Sequence, residues 1–198
     1  MKVGLIEHTD EPEAAIARAA RISHQKTAEE KDYTEQEDQE LIRNLRDRGH
    51  WSPFEFASAT FYVEDISRSC LAQLTRHRLA SFMVRSMRYV KQDPEEVVIP
   101  DSVKEAGLEK EYKERVKKAH DYYQKAIEKG VPKEDARFIL PIASKTSLYL
   151  KTNFREFRHI IDLRGGKAAQ WEIRELANHF LRLLSDVAPI VFEDLATE

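Results

Sequence analysis

Between Ile66 and Gln92 the chain carries six cationic side chains, Arg68, Arg76, Arg78, Arg85, Arg88 and Lys91, and no carboxylate. The whole sequence has 32 Lys and Arg against 35 Asp and Glu, a formal charge of −3. An acidic chain has therefore gathered local positive charge in one segment, the footprint of an anionic ligand. Spacing of i, i+3, i+4 predicts Gln73, Arg76 and His77 on one helix face. Arginine forks match phosphate and imide oxygens, and glutamine can both donate and accept toward a base edge. The same residues would also serve as a solvated basic face favoured by a helix C-terminal dipole.

A second polar run lies between Lys151 and Arg174, with Asn153, Arg155, His159 and Arg164 on a predicted helix that ends at Gly165-Gly166. Arg164 can point its guanidinium across a cleft; surface charge on an amphipathic helix is the alternative. Glu156 and His159 form an ExxH pair, but di-metal sites built on that pair need a second copy and two further carboxylates. The sequence has no second copy, and Arg155, Arg158 and Arg164 would repel a cation, so no metal is expected. Cys70 is the only cysteine. It rules out an internal disulfide and a CxxC knuckle, and it reads as a buried, inert thiol. His50 and Arg137 stand in two shorter stretches, GHWSPFE and DARFILP, where structural roles would serve as well.

These groups need a scaffold. Val3 to Glu7 reads as a strand, and Glu11 to Ile22 as a helix with Pro12 at its first position. Thr27 to Glu40 is strongly charged and runs into a helix that Gly49 stops. Phe56 to Val63 is the clearest strand, and Asp65 is placed to cap a helix over ISRSCLAQLTRHR. Phe82 to Val90 reads equally as strand or loop. Asp101 to Gly130 reads as a long amphipathic helical region with Leu108, Tyr112, Val116, Ala119, Tyr123 and Ile127 on one face. Pro132 opens a short helix that Pro141 closes, and Thr146 to Lys151 can be a strand. Asn153 to Leu163 and Ala168 to Val187 are helices. Long helices with a few strands and no βαβ alternation predict an α+β fold.

Composition narrows the class. The chain has 198 residues, 41% apolar and 34% charged, which excludes a disordered or membrane-embedded protein and predicts a single domain over 1–198. No apolar run is long enough to cross a bilayer, and the N-terminus lacks a signal peptide's apolar stretch, so a cytoplasmic location is expected. The six glycines fit neither a GxGxxG nor a GxxxxGK[ST] loop. Phosphates would be held by arginines and helix N-termini instead.

Arg76-His77-Arg78, seven residues and then Ser86 make a highly specific pattern. Together with GHWSPFE, QLTRHRLAS, SMRYVK, ARFILP and the closing N-F-R, L-R and AQWEIR stretches, it resembles the flavin-dependent thymidylate synthases over most of the chain. The resemblance implies a homotetramer of α+β subunits, each with a central, mostly antiparallel sheet flanked by long helices, and active sites built from several chains. It implies reductive methylation of dUMP to dTMP, with carbon from methylenetetrahydrofolate, hydride from reduced FAD and NADPH as reductant. Ser52, Arg76, His77, Arg78, Asn153, Arg155 and His159 would contact FAD. Gln73, Leu74, Thr75, Arg76, Val84, Arg85, Ser86, Met87, Arg88, Arg137 and Arg164 would contact dUMP, and His50 would help shape the folate site. Met83-Val84 stands where the family commonly has Asn-Glu, so any role for Val84 runs through its backbone. Phe56 stands where a His is frequent.

The chemistry suits these residues. A guanidinium beside the pyrimidine imide favours an N3-deprotonated, electron-rich ring, and Arg164 is the candidate. Ser86 has no base in sight and is expected to position substrate rather than attack it. The competing expectation is a non-enzymatic nucleotide- or nucleic-acid-binding module built on the basic 66–92 segment. Against it stand the acidic chain and the scarcity of aromatics there beyond Phe82 and Tyr89, so no nucleic-acid partner is expected.

Overall fold

The computed structural model describes residues 1–23, 33–93 and 96–195. In chain order come β1 (Lys2–His8), α1 (Pro12–Arg21), α2 (Glu35–Asp47), a 3-10 turn (Ser52–Phe56), β2 (Ser58–Ser67), α3 (Arg68–Leu74) and β3 (Ser81–Val84). After them follow α4 (Asp101–Glu105), α5 (Glu109–Glu128), α6 (Lys133–Ala136), a 3-10 turn (Arg137–Ile139), β4 (Lys145–Asn153), α7 (Phe154–Gly165), α8 (Trp171–Ser185) and α9 (Pro189–Phe192). The fold is α+β, with one four-stranded antiparallel sheet in the order β1-β2-β4-β3. Residues 27–32 of the charged stretch before α2 lie outside the described residues.

Two compact units divide the chain. One gathers Met1–Lys2, Val63–Leu74 and Met83–Leu148; the other gathers Val3–Tyr62, Thr75–Phe82 and Tyr149–Glu198. In the second, α7 and α8 pack on each other around Phe61, Phe157 and Phe180, whose rings stack edgewise or tilted at 4.8–5.6 Å. Gly165 sits at their crossing, where there is little room for a side chain. A Cβ there would lie 3.3 Å from Asn178 Oδ1 of α8, closer than ordinary van der Waals contact. In the first unit, α5 packs on α6 and the Arg137–Ile139 turn and buries Val116, His120 and Tyr123.

Three local expectations need correction and a fourth gains detail. The strand begins at Ser58 rather than Phe56, because Pro53 and its neighbours close a 3-10 turn first. It then continues to Ser67, so Asp65 lies within it in a left-handed conformation (φ 64°) and caps nothing. Asp tolerates that conformation better than most residues, and Ser67 Oγ, accepting from Cys70 N at 2.9 Å, caps α3 instead. The helix α3 stops at Leu74, so Arg76 and His77 sit in a turn and share no helix face with Gln73. The helical region over 101–130 resolves into two helices, α4 and α5, separated at Gly107, whose φ of +73° breaks the ladder.

Candidate active site

The turn after α3 and the face of α7 build one cavity. Asn153 caps α7, its Oδ1 accepting from Glu156 N at 2.9 Å. This fixes the first turn and places Glu156, His159 and Arg164 along one side of the helix. The Arg76–Leu79 turn lies opposite. The cavity, about 800 Å³, is lined by Arg76, His77, Arg78, Glu156, His159 and Arg164, among others. Arg76, Arg78 and His159 are exposed, Arg164 is half-buried, and His77 and Glu156 are buried.

His77 is the hub. Its Nδ1 lies 3.2 Å from Glu156 Oε1, and Arg164 Nε donates to its Nε2 at 3.3 Å. The ring of His159 stands edgewise to it at 5.6 Å. Burial pushes the imidazole below its ordinary pKa; Glu156 opposes that shift, and Arg164 and His159 add to it. The ring is therefore neutral near pH 7. Among the described residues, the partner of Arg164 is thus a neutral ring rather than a carboxylate, and its charge stays available to a ligand.

Ligand atoms of His77, Glu156 and His159 fall within 4.8 Å of one another. The ExxH pair weighed in the sequence thus gains a third donor from a distant turn. A cation there would meet the Arg164 guanidinium on the same imidazole, with Arg76 and Arg78 also lining the cavity.

Adjacent clefts in the same unit extend the site. One, about 880 Å³, shares Leu79, Glu156 and His159 with the first cavity and adds Trp51, Arg155 and Arg158. Another, about 500 Å³, contains His50, Trp51, Ser52 and Arg155. Arg155 pairs with Glu55 at 2.6 Å, both exposed. Arg158, buried, grips Asp194 with two bonds of 2.6 and 2.7 Å, donates to Val191 O, and lies under the Trp51 ring. It is a structural arginine. The donor set fits a phosphorylated flavin: Arg76 and Arg78 suit a pyrophosphate, with Trp51, Ser52 and His50 in the neighbouring clefts.

The first unit holds a second cationic cluster. Arg68 donates to Arg85 O at 3.0 Å, and Arg85 reaches Glu96 Oε2 at 2.8 Å and Lys145 O at 3.1 Å. The Nε atoms of Arg68 and Arg85 are buried without a hydrogen-bond partner among the described residues. Burial, then the charges of Arg85 and Arg137, lower the Arg68 pKa. Arg137 Nε donates to Glu134 O, and Glu134 also pairs with Arg88 at 2.7 Å. Ser86 Oγ accepts from Arg88 N at 3.2 Å, which turns the chain there. Gln73, Val84 and Met87 are half-buried, Thr75 is exposed, and Leu74 is fully buried, so its side chain is core. Glu156 lines the cavity although the sequence weighs it only as half of a metal-binding pair. The signal for Glu156 was an acid at the third position of a helix rich in arginine.

Residues 4–190 match the family model described as thymidylate synthase complementing protein. The chain belongs to that family. It is 40% identical to the flavin-dependent thymidylate synthase of Haloarcula marismortui, over 98% of this chain and 94% of that one. It is also 40% identical to the flavin-dependent thymidylate synthase of Geobacter sulfurreducens, over 98% and 86% of the two chains. The crystal structure of a UMP/dUMP methylase PolB from Streptomyces cacaoi bound with 5-Br dUMP superposes with a TM-score of 0.89. The match covers 97% of this chain and 93% of that one at 25% identity. No helix among the described residues is long and apolar enough to cross a membrane.

Proposed function

We propose that this chain, acting as one functional domain over 1–198 in a homotetramer, methylates dUMP to dTMP reductively. Methylenetetrahydrofolate supplies the carbon, NADPH is the reductant, and FAD is the cofactor. When bound and reduced, FAD supplies the hydride. The observation that carries the reading is a charged guanidinium, Arg164, held on a neutral imidazole inside an arginine-lined cavity.

Methylation at the uracil C5 needs electron density in the ring. Arg164, set against the imide, stabilises the N3-deprotonated form by fixed, pre-oriented charge. Arg76 and Arg78 neutralise phosphates, each charge-assisted bond contributing about 1.5–3 kcal/mol. Ser52, His77, Asn153, Arg155 and His159 complete the cofactor side, Asn153 by setting the first turn of α7. Gln73, Leu74, Thr75 and Arg76, the run Val84, Arg85, Ser86, Met87 and Arg88, and Arg137 complete the nucleotide side. Leu74 and Val84 act through backbone atoms, and Ser86 positions the substrate. Because the active sites of this assembly are built from several chains, the Ser86–Arg88 run and Arg164 need not come from one copy. Buried Cys70 has no catalytic duty. Phosphorylated substrates of this kind, which cross bilayers poorly, place the work in the cytoplasm.

The visible spectrum of the purified protein tests the reading. Twin flavin bands that shift on adding dUMP are expected, along with dTMP formation when the folate and NADPH are supplied. A colourless protein that cannot be loaded with FAD, or a flavin spectrum indifferent to dUMP, would reject it. The methylase bound to 5-Br dUMP supports a pyrimidine nucleotide as ligand.

A further inference from the structure

Glu156 is the one acid lining a cavity that holds three arginines, and the reaction proposed above gives it nothing to bind. It is only 6% exposed. Burying a carboxylate costs several kcal/mol unless it is paired, yet its side-chain partner is an imidazole that burial keeps neutral. The pairing makes sense through the far side of that ring. An arginine Nε–H can only donate, so His77 Nε2 must offer its lone pair to Arg164. In a neutral ring the proton then sits on Nδ1, where a carboxylate is the partner that holds it. The opposite tautomer would set two N–H groups against each other on the Arg164 side and two acceptors against each other on the Glu156 side.

We infer that Glu156 is a positioning residue: its carboxylate fixes His77 in the Nδ1–H tautomer, so that Nε2 holds Arg164 by its Nε and aims the guanidinium at the substrate imide. The inference rests on reading Arg164 as the group that meets the pyrimidine. The neutral ring between them is essential, because a carboxylate placed directly on Arg164 would cancel the charge the reaction uses. The groups facing His77 are Glu156, His159 and Arg164, with Arg76 and Arg78 lining the same cavity.

Nitrogen-15 NMR of the histidine side chains in the FAD-loaded protein tests it at neutral pH. His77→Gln assigns the signal by its disappearance from among the seven histidines. The wild-type ring is expected to be protonated at Nδ1 and bare at Nε2. Finding the proton on Nε2 overturns the inference without recourse to any variant. Glu156→Gln, which keeps the shape but lets the amide present either donor or acceptor, should give a mixture of tautomers. Its kcat should fall roughly 10- to 100-fold, the scale of a misaimed catalytic group, with flavin content and the KM for dUMP nearly unchanged. Wild-type kcat in that variant overturns the inference, as does an unchanged tautomer. Glu156→Asp, which keeps the charge, should recover part of the lost rate if Glu156→Gln folds poorly; no recovery counts against it. If wild-type protein makes no dTMP at all, the assigned reaction fails, and the tautomer measurement still decides the Glu156–His77 link.

Discussion

His77 in one unit and His120 in the other are both buried, at 4% and 1% exposure, and burial pushes both imidazoles below their ordinary pKa. Their surroundings differ. Both ring nitrogens of His77 are engaged, one by a carboxylate and one by a guanidinium. Neither ring nitrogen of His120 has a hydrogen-bond partner among the described residues, and the buried hydroxyl of Tyr123, its ring neighbour, has none either. Burial alone makes a packed histidine. Two opposed partners of fixed donor and acceptor character make one that can orient something else. α7 repeats the contrast within itself: Arg158 is consumed by Asp194 and Val191, whereas Arg164 rests on a neutral ring.

The largest expected effect is at the end of that chain of contacts. Arg164→Ala should lower turnover by at least ~100-fold, the scale of losing one oriented donor, while FAD stays bound. Steady-state kinetics with the flavin spectrum of the same sample check it, and near-normal turnover would erase the distinction drawn for Arg164. Arg164→Lys should remain poor, because an ammonium lacks the planar fork.

Exchanging the two histidines for phenylalanine sharpens the comparison. His77→Phe removes the acceptor for Arg164 and should cut kcat by roughly 10-fold or more through misorientation. His120→Phe should leave kcat untouched and hold stability within about 1 kcal/mol, since it replaces an unsatisfied buried polar ring by an apolar one. Equal losses of activity in both variants would mean that burial, not partnership, is the operative difference.

Arg158→Leu tests the arginine that structure consumes. It should cost about 2 kcal/mol in urea unfolding, because Asp194 and the buried Val191 carbonyl lose a charged donor. Activity per folded molecule should change far less than in Arg164→Ala. The smallest effect is in acid. Both histidines have folded-state pKa values below the ordinary 6.5, so the unfolded chain binds more protons just below that pH. Their contribution to stability is complete above about pH 6.5 and is lost as the pH falls through the folded-state values, at most about 1.4 kcal/mol per unit for each ring. Asp93 and Asp121 temper the shift at His120, as Glu156 does at His77. His120→Phe should flatten the acid slope of the melting temperature.

Much of this was legible in the chain. The alternation of β4, with Thr146, Leu148, Leu150 and Thr152 buried, follows from its composition, as do the apolar faces of α5 and α8. The basic segment, the Arg76-His77-Arg78 motif and the polar run of α7 marked where chemistry would sit. The boundary of α3 was not legible. The apolar spacing of Ile66, Cys70 and Leu74 continues smoothly from strand into helix, and nothing local marks where β2 ends. The break at Gly107 is not legible either, because the charged pattern on either side of it is uniformly helical.

Local periodicity determined by itself that Glu156 and His159 share a face of α7 and that Arg164 closes it, because side-chain direction on a helix follows from spacing alone. Which arginine keeps a free charge is a different kind of fact. It depends on His77 arriving from a turn 79 residues away from Glu156, at hydrogen-bonding distance on both of its nitrogens. Only tertiary packing fixes such a contact, since it is set by how the turn after α3 seats against α7 and by the burial that keeps the ring neutral.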